Sequence, residues 1–477
     1  MDTANNAGGQ LVAVSSGTHH YRDTGAVRDL VQRTLSWLPL SATLIRRDDR
    51  VVLKPNWVKE HDERYPGPGH WEHVVTHPAV IEAVARWVAE RLTGRGSITF
   101  CDAPQTDSSF ARIREYCRLD DLVARCRTDY PGVDFELLDL RPEEWRAVDG
   151  VTVSKTQLPG DPRGHTHVRL DSASEFVGYK GQGRLYGAAY DMAETNARHH
   201  ADRHEYLLCR TPMDADVFIN LPKLKTHKKV GVTCALKNIV GINANKNWLP
   251  HHTEGTPEDG GDQFPTATTQ ARLEQSWMGV AKRWLKNKPH VSRFFVPVKK
   301  AGRLVFGDTQ RVVRSGNWHG NDTCWRMVLD LNKCLFFFDG SGQPRKKPLR
   351  YLAVVDGIVG GEGNGPMSPD PRPCGVLIAG AHPVAVDCVA ATLMGFEWQK
   401  LRLLGRSFQL RELNLVHFRP GEIEVVSNKP AWNGKLDQIE ETFAFHPHFG
   451  WVGAIESPVW RSPAATAFDA ATPKEPA

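Results

Sequence analysis

No two cysteines in this chain stand at CxxC spacing; the nine are scattered at positions 101, 117, 126, 209, 234, 324, 334, 374 and 388. That excludes a zinc ribbon and argues against a disulfide framework, so the expectation is reduced thiols in a cytoplasmic protein. No apolar run approaches the ~20 residues needed to cross a bilayer. The first ten residues, MDTANNAGGQ, are polar and lack an apolar signal core. Net charge is only +5 over 477 residues. The one basic cluster lacks the interleaved aromatics on which bases stack, which disfavours nucleic acid as a partner. Oligomeric state is not legible.

The most telling absence is local. Residues 217–253 read VFINLPKLKTHKKVGVTCALKNIVGINANKNWLPHHT, with six lysines, three histidines and no carboxylate. A solvated surface mixes signs, because unrelieved like charge destabilises the compact state. An acid-free run that begins on an apolar strand therefore points to a pocket for an anion.

Several short apolar runs lead directly into polar residues. Val51-Val52-Leu53 precedes Lys54-Pro55-Asn56, residues 98–101 precede Asp102, residues 217–221 precede Pro222-Lys223, and residues 351–355 precede Asp356. Continuous apolar runs of this length suit parallel strands covered on both faces. Between them, Val80, Ile81, Val84, Trp87, Val88 and Leu92 keep helical spacing, with Pro78 suited to a first turn and Thr76 or His77 to a cap. The expected fold is α/β: doubly wound, with mostly parallel sheet, in two lobes with a cleft between. The expected lobes are residues 10–310 and 311–457, with a disordered tail over 458–477. A short echo, THPAV at 76–80 against AHPVA at 381–385, is too brief to establish a repeat.

In such sheets ligands bind beyond the carboxyl ends of the strands. Lys54, Asn56 and Asp102 fall there. Residues 232–241 are expected to form an amphipathic helix with Thr233 and Lys237 four apart, facing one cleft. Lys223, Lys225 and His227 precede its N-terminus, where backbone N–H groups favour an anion. Neither GxxxxGK[ST] nor GxGxxG occurs in this element, so it is no nucleotide loop of those kinds. A buried Lys237 would have a depressed pKa and serve as base or nucleophile, with His227 moving protons. Lys228 and Lys229 are expected as rim charges.

Two further groups are candidates. His251, His252, Glu254 and Asp262 are ligand types for a divalent metal, although a Gly-rich lid over the cleft is the preferred reading of that loop. From Asp356 onward, DGIVGGEGNGP carries five glycines within nine residues, which permits close approach to a ligand. Asp356, Glu362 and Asn364 are its candidate binding residues, Asp356 orienting the substrate.

The strings THPAVIEAV, ADVFINLPKLKTHKKVGVTCALKNIVG, LAVVDGIVGGEGNGP and GVLIAGAHPVAVDCVAATLMG, collinear over residues 45–405, resemble the domain-of-unknown-function 362 family. That family has no settled general activity. Many members add an iron–sulfur module, but this chain lacks CxxCxxCxxxCP, and no iron–sulfur cluster is expected. A weaker resemblance is to the lactate racemase (nickel-pincer) family, in which a lysine ten residues after a histidine holds the cofactor covalently. His227 and Lys237 stand in that relation, but Thr233-Cys234-Ala235-Leu236 replaces the small, Gly-rich run that precedes the family's lysine.

These observations lead to an expectation of an intracellular enzyme binding an anionic small molecule, a carboxylate or phosphate of hydroxy-acid or sugar-like type. Isomerase or transferase chemistry with Lys237, His227 and Asp356 is expected, and Lys223, Lys225, Thr233 and Asn238 join Lys54 in binding. The alternative is a non-catalytic metal or cofactor carrier, or a redox accessory protein.

Overall fold

The computed structural model describes residues 10–148, 151–189, 191–266 and 312–458. One sheet of 11 strands organises them. In chain order the strands are β1 (Leu11–Ser16), β2 (Arg50–Pro55), β3 (Ser97–Asp102), β4 (Asp134–Asp139), β5 (Val217–Leu221), β6 (Lys223–His227), β7 (Gly231–Val232), β8 (Arg350–Asn364), β9 (Ser368–Gly380), β10 (Glu424–Ser427) and β11 (Gly434–Lys435). The spatial order is β11-β10-β1-β9-β8-β5-β2-β3-β4. Beyond the end of β5, β6 pairs with the far half of the long β8 and carries β7. Strands β8, β5, β2, β3 and β4 are parallel neighbours, while β9 runs antiparallel between β8 and β1.

The apolar runs are continuous because both faces are covered. Val51 and Leu53 enter one core and Val52 the other; likewise Val217, Ile219 and Leu221 oppose Phe218. Helices α1 (Thr24–Ser36), α2 (Pro78–Leu92) and α3 (Leu119–Asp129) supply the first core, and α4 (Cys234–Asn238), α5 (Cys324–Phe337) and α6 (Pro383–Met394) the second. This is the mostly parallel α/β architecture that the apolar runs imply. The strands of residues 311–457 lie in the same sheet as β1 to β7, with β8 directly beside β5, while the other strands of 10–310 form three small separate sheets. The tail lies outside the described residues except for its first residue. Among the described residues, no helix is long and apolar enough to cross a membrane.

The THPAV and AHPVA segments adopt the same turn. His77 and His382 each precede a helix whose first residue is proline, and each Nδ1 accepts a backbone N–H, from Ala79 and Val384. Imidazole caps of this kind satisfy helix donors that otherwise lack a partner.

Candidate functional site

The site is built where β2, β3 and β5 end. Lys54 and Asn220 are register partners on β2 and β5, and Asp102 closes β3. Lys54 Nζ donates to Asp102 Oδ1 at 2.8 Å, with both side chains almost wholly buried. Asp102 also accepts the N–H of Ala103 at 2.9 Å and of Trp57 at 2.8 Å.

Asn238 completes this floor. Its Nδ2 donates to the Lys54 carbonyl at 3.2 Å and to Asn220 Oδ1 at 2.7 Å, and its Oδ1 accepts from Lys54 Nζ at 3.2 Å and Asn56 Nδ2 at 2.8 Å. Asn220 Nδ2 in turn donates to the Ala235 carbonyl at 2.8 Å. Carbonyls accept only, so these anchors fix which way each amide faces. Gly241 must be glycine: a Cβ there would lie 1.8 Å from Asp102 Oδ1 and 2.6 Å from Lys54 Nζ.

Above the floor opens a cavity of about 160 Å³, lined by Lys54, Asn56, Asp102, His227, Lys228, Lys229, Thr233, Lys237, Asn238, Lys246, His251 and His252 among others. Among the described lining residues five lysines thus face one carboxylate, and Lys54 already neutralises that one. Lys246 Nζ donates to the Ala103 carbonyl at 2.8 Å, and Lys229 Nζ to the Ser315 carbonyl and, at 3.3 Å, to His252 Nδ1. Burial holds Lys229 down to about 7 and Lys246 to about 8. Among the described residues, Lys237 has no hydrogen-bond or ion-pair partner, although it is only 8% exposed. Burial, with Lys54 and Lys228 nearby, holds its amine below the ordinary lysine value.

The two imidazoles carry opposite hydrogens. His227 Nδ1 accepts the Lys229 N–H at 3.1 Å, which leaves the ring proton on Nε2. His251 Nδ1 lies 2.8 Å from the Leu249 carbonyl and must donate to it, which leaves Nε2 a bare acceptor. Burial, reinforced by Lys237, holds both well below the ordinary histidine value, so both rings are neutral. Among the described residues, the buried Thr233 Oγ1 has no partner, and the next residue, Cys234, sits at φ +38°, a region costly for a side-chain-bearing residue.

Other candidate residues lie elsewhere. The expected helix over 232–241 is the five-residue α4 followed by a 3₁₀ turn, Ile239–Ile242. Its first free amides do not await a ligand: Asp387 accepts from Ala235 N at 2.6 Å and Leu236 N at 2.9 Å. Burial pushes that carboxyl up to about 8, against the pull of the two donors. Lys223 and Lys225 belong to a buried strand outside the cavity lining. Lys223 Nζ is taken by Asp356 at 2.8 Å and Tyr21 at 2.7 Å, and Lys225 Nζ by the carbonyls of Val74 and Pro366.

Asp356 therefore orients Lys223, Tyr21 Oη and the His77 N–H rather than a substrate. The Gly-rich run is not a loop, since Asp356 to Asn364 continues β8 in register with β9. Its glycines admit protein neighbours instead: a Cβ at Gly360 would meet the Leu224 carbonyl and Phe445. Glu362 accepts the His446 N–H, and neither Glu362 nor Asn364 lines the cavity.

The four metal-ligand candidates do not converge, and the described residues contain no group of three or more ligating side chains. Asp262 instead accepts from Thr253 N, Thr323 N, Thr323 Oγ1 and Asp322 N, and His252 stacks on Tyr186 with ring centroids 4.6 Å apart. That donor set does not fit a metal ion. The 251–264 loop is pinned by Asp262, and most of its residues are buried. Sequence reasoning missed Lys246 and Asp387 and treated Lys228 and Lys229 as rim charges. Lys246 lies in the same acid-free run, and a lone aspartate inside PVAVDCVAATLM is itself a sign of a buried polar partner.

Fold and site together define an α/β protein with a lysine-lined cavity at the carboxyl ends of its parallel strands. Residues 160–392 match the model of the family described as "Domain of unknown function (DUF362)", which bears out the resemblance over a narrower span than the motifs suggested. Among solved structures, the chain is similar to the lactate racemase apoprotein from Thermoanaerobacterium thermosaccharolyticum at 10% identity and a TM-score of 0.31. That match covers 82% of this chain and 59% of that one, so the chain spans less than two thirds of the other protein. A likeness this slight bears on neither activity nor substrate. No curated protein matches the chain.

Proposed function

We propose that the protein is an enzyme that binds a small anion, a carboxylate or phosphate of hydroxy-acid or sugar-like type, and acts on it with Lys237 and the two imidazoles. The observation that carries this reading is the unpartnered Lys237 amine, buried at the wall of a cavity rich in lysine. A buried ammonium without a counter-charge is costly unless a ligand supplies one. Its depressed pKa makes the neutral amine accessible as a base, or as a nucleophile toward a carbonyl carbon with water as leaving group. His227 Nε2–H is placed to donate a hydrogen and His251 Nε2 to accept one, so proton transfer needs no change of ring charge beforehand. The nine free thiols, all buried, fit a reducing compartment.

Mass spectrometry of wild-type and Lys237→Met protein in native and denaturing modes tests the reading. A mass increment seen only in native mode, and lost in the variant, supports a held anion. One that survives denaturation and maps to Lys237 supports covalent chemistry. Identical spectra for the two proteins, with no increment after incubation with millimolar carboxylates and phosphates, would sink the proposal.

A further inference from the structure

The cavity's charge can be taken a step further, resting on the anion-site reading above. Lys54 and Asp102 cancel, which leaves Lys228, Lys229, Lys237 and Lys246 with no carboxylate among the described lining residues. The hydrogen bonds that Lys229 and Lys246 do make go to carbonyls and an imidazole, which solvate an ammonium without neutralising it. Glu63 and Asp107 lie near enough to act on Lys228, so one negative charge would leave two of the other three uncompensated. The volume, about 160 Å³, is on the order of five times a water's share of the liquid, about 30 Å³. The compensating charges must therefore sit close together on a compact molecule.

We infer that the cavity's ligand is a compact dianion, carrying two or more negative charges within a few bonds, as in a phosphate monoester or a short dicarboxylate. Two features of the lining also support it. Lys237 is nine-tenths buried, unpartnered and part of the lining, and Thr233 Oγ1, also in the lining, is a buried hydroxyl with no partner that can donate to an oxyanion. Burial holds Lys229 to about 7 and Lys246 to about 8, so the protein alone stabilises their ammonium forms poorly. A dianion would restore both protons by supplying the missing counter-charge.

The test is isothermal titration of the full chain with size-matched pairs: methyl phosphate against dimethyl phosphate, and malonate against its monomethyl ester. In each pair one negative charge is removed at nearly constant shape. A second charge about 4 Å from an ammonium in a partly screened site is worth enough that the dianion should bind about 30-fold tighter or more. Lys246→Met should reduce that ratio at least about fivefold. Tighter binding of methyl phosphate than of malonate assigns a phosphoryl group, and the reverse a dicarboxylate. If both members of each pair bind equally, the dianion is wrong and the anion site stands. If none of the four binds at millimolar concentration, the anion-site reading falls and this inference with it. The wild-type comparison decides between these even if the variant fails to fold.

Discussion

Asp102→Asn is the sharpest probe of the site floor. Asp102 and Lys54 meet at 2.8 Å with side chains 4% and 0% exposed, so removing one charge strands the other away from water. Breaking a buried pair from one side costs about 3–5 kcal/mol. In the asparagine, the retained oxygen can still serve Lys54 Nζ and Ala103 N, but the new amide would face the Trp57 N–H, donor against donor. A buried N–H left unmet costs about 1–3 kcal/mol. Lys54 keeps the Pro55 carbonyl and Asn238 Oδ1, which offsets part of the loss. The expected destabilisation is about 4 kcal/mol. Lys54→Met should cost about 3 kcal/mol, and the double variant about 2 kcal/mol less than the sum of the two, because neither charge is then stranded. The assay is urea unfolding of the four proteins, followed by far-UV circular dichroism and tryptophan fluorescence; coincident transitions license the free energies. A loss below about 1 kcal/mol in Asp102→Asn, or a double variant equal to the sum of the singles, would refute the stranded-charge reasoning.

Gly241→Ala should destabilise by at least about 1–3 kcal/mol through overpacking and abolish binding of methyl phosphate, because the new methyl would fall 1.8 Å from Asp102 Oδ1; urea unfolding and titration calorimetry check both. Lys237→Met should lose anion binding yet leave the empty protein as stable as wild type or about 1–2 kcal/mol more so, since it removes an uncompensated buried ammonium; a loss of stability in urea would contradict this. Stability should fall as pH drops from 6.5 to 4.5. Burial lowers His199 and His448 to about 3 and His204 and His382 to about 4, so the unfolded chain gains protons that the fold refuses. Asp330 at about 6 and Asp387 at about 8 work the other way, gaining protons in the fold first. With His227 and His251 also held neutral by burial, the histidines outnumber the two aspartates, so the net slope loses stability toward acid. Flat or rising stability in urea over that range would overturn the assignment.

Local patterns were readable and distant pairings were not. The apolar runs gave β2, β3 and β5 because a strand covered on both faces carries its own signature in a handful of residues. His227, Thr233, Lys237 and Asn238 reach one cavity because they belong to one continuous segment. By contrast, Lys223 and Asp356 look like open binding groups until the fold sets them side by side across 133 residues. Glycine misled for a similar reason. In DGIVGGEGNGP it marks crowding by other protein segments within a strand, and composition alone cannot tell a protein neighbour from a ligand. The histidine echo at 77 and 382 carried more structure than five residues suggested, since both rings perform the same capping.

Lys237 and Asn238 are consecutive, yet one is tied at both ends of its amide and the other is untied. On the proposed reading, reagent and platform are divided between adjacent positions. The platform is secured through the Lys54 carbonyl and the side chains of Lys54, Asn56 and Asn220, none of which involves the side chain at 237. Position 237 is consequently a socket: a thiol or an imidazole grafted there would inherit the same cationic walls and the same two neutral imidazoles. The scaffold is in this sense open to a change of chemistry by a single codon, with no need to rebuild the floor beneath it.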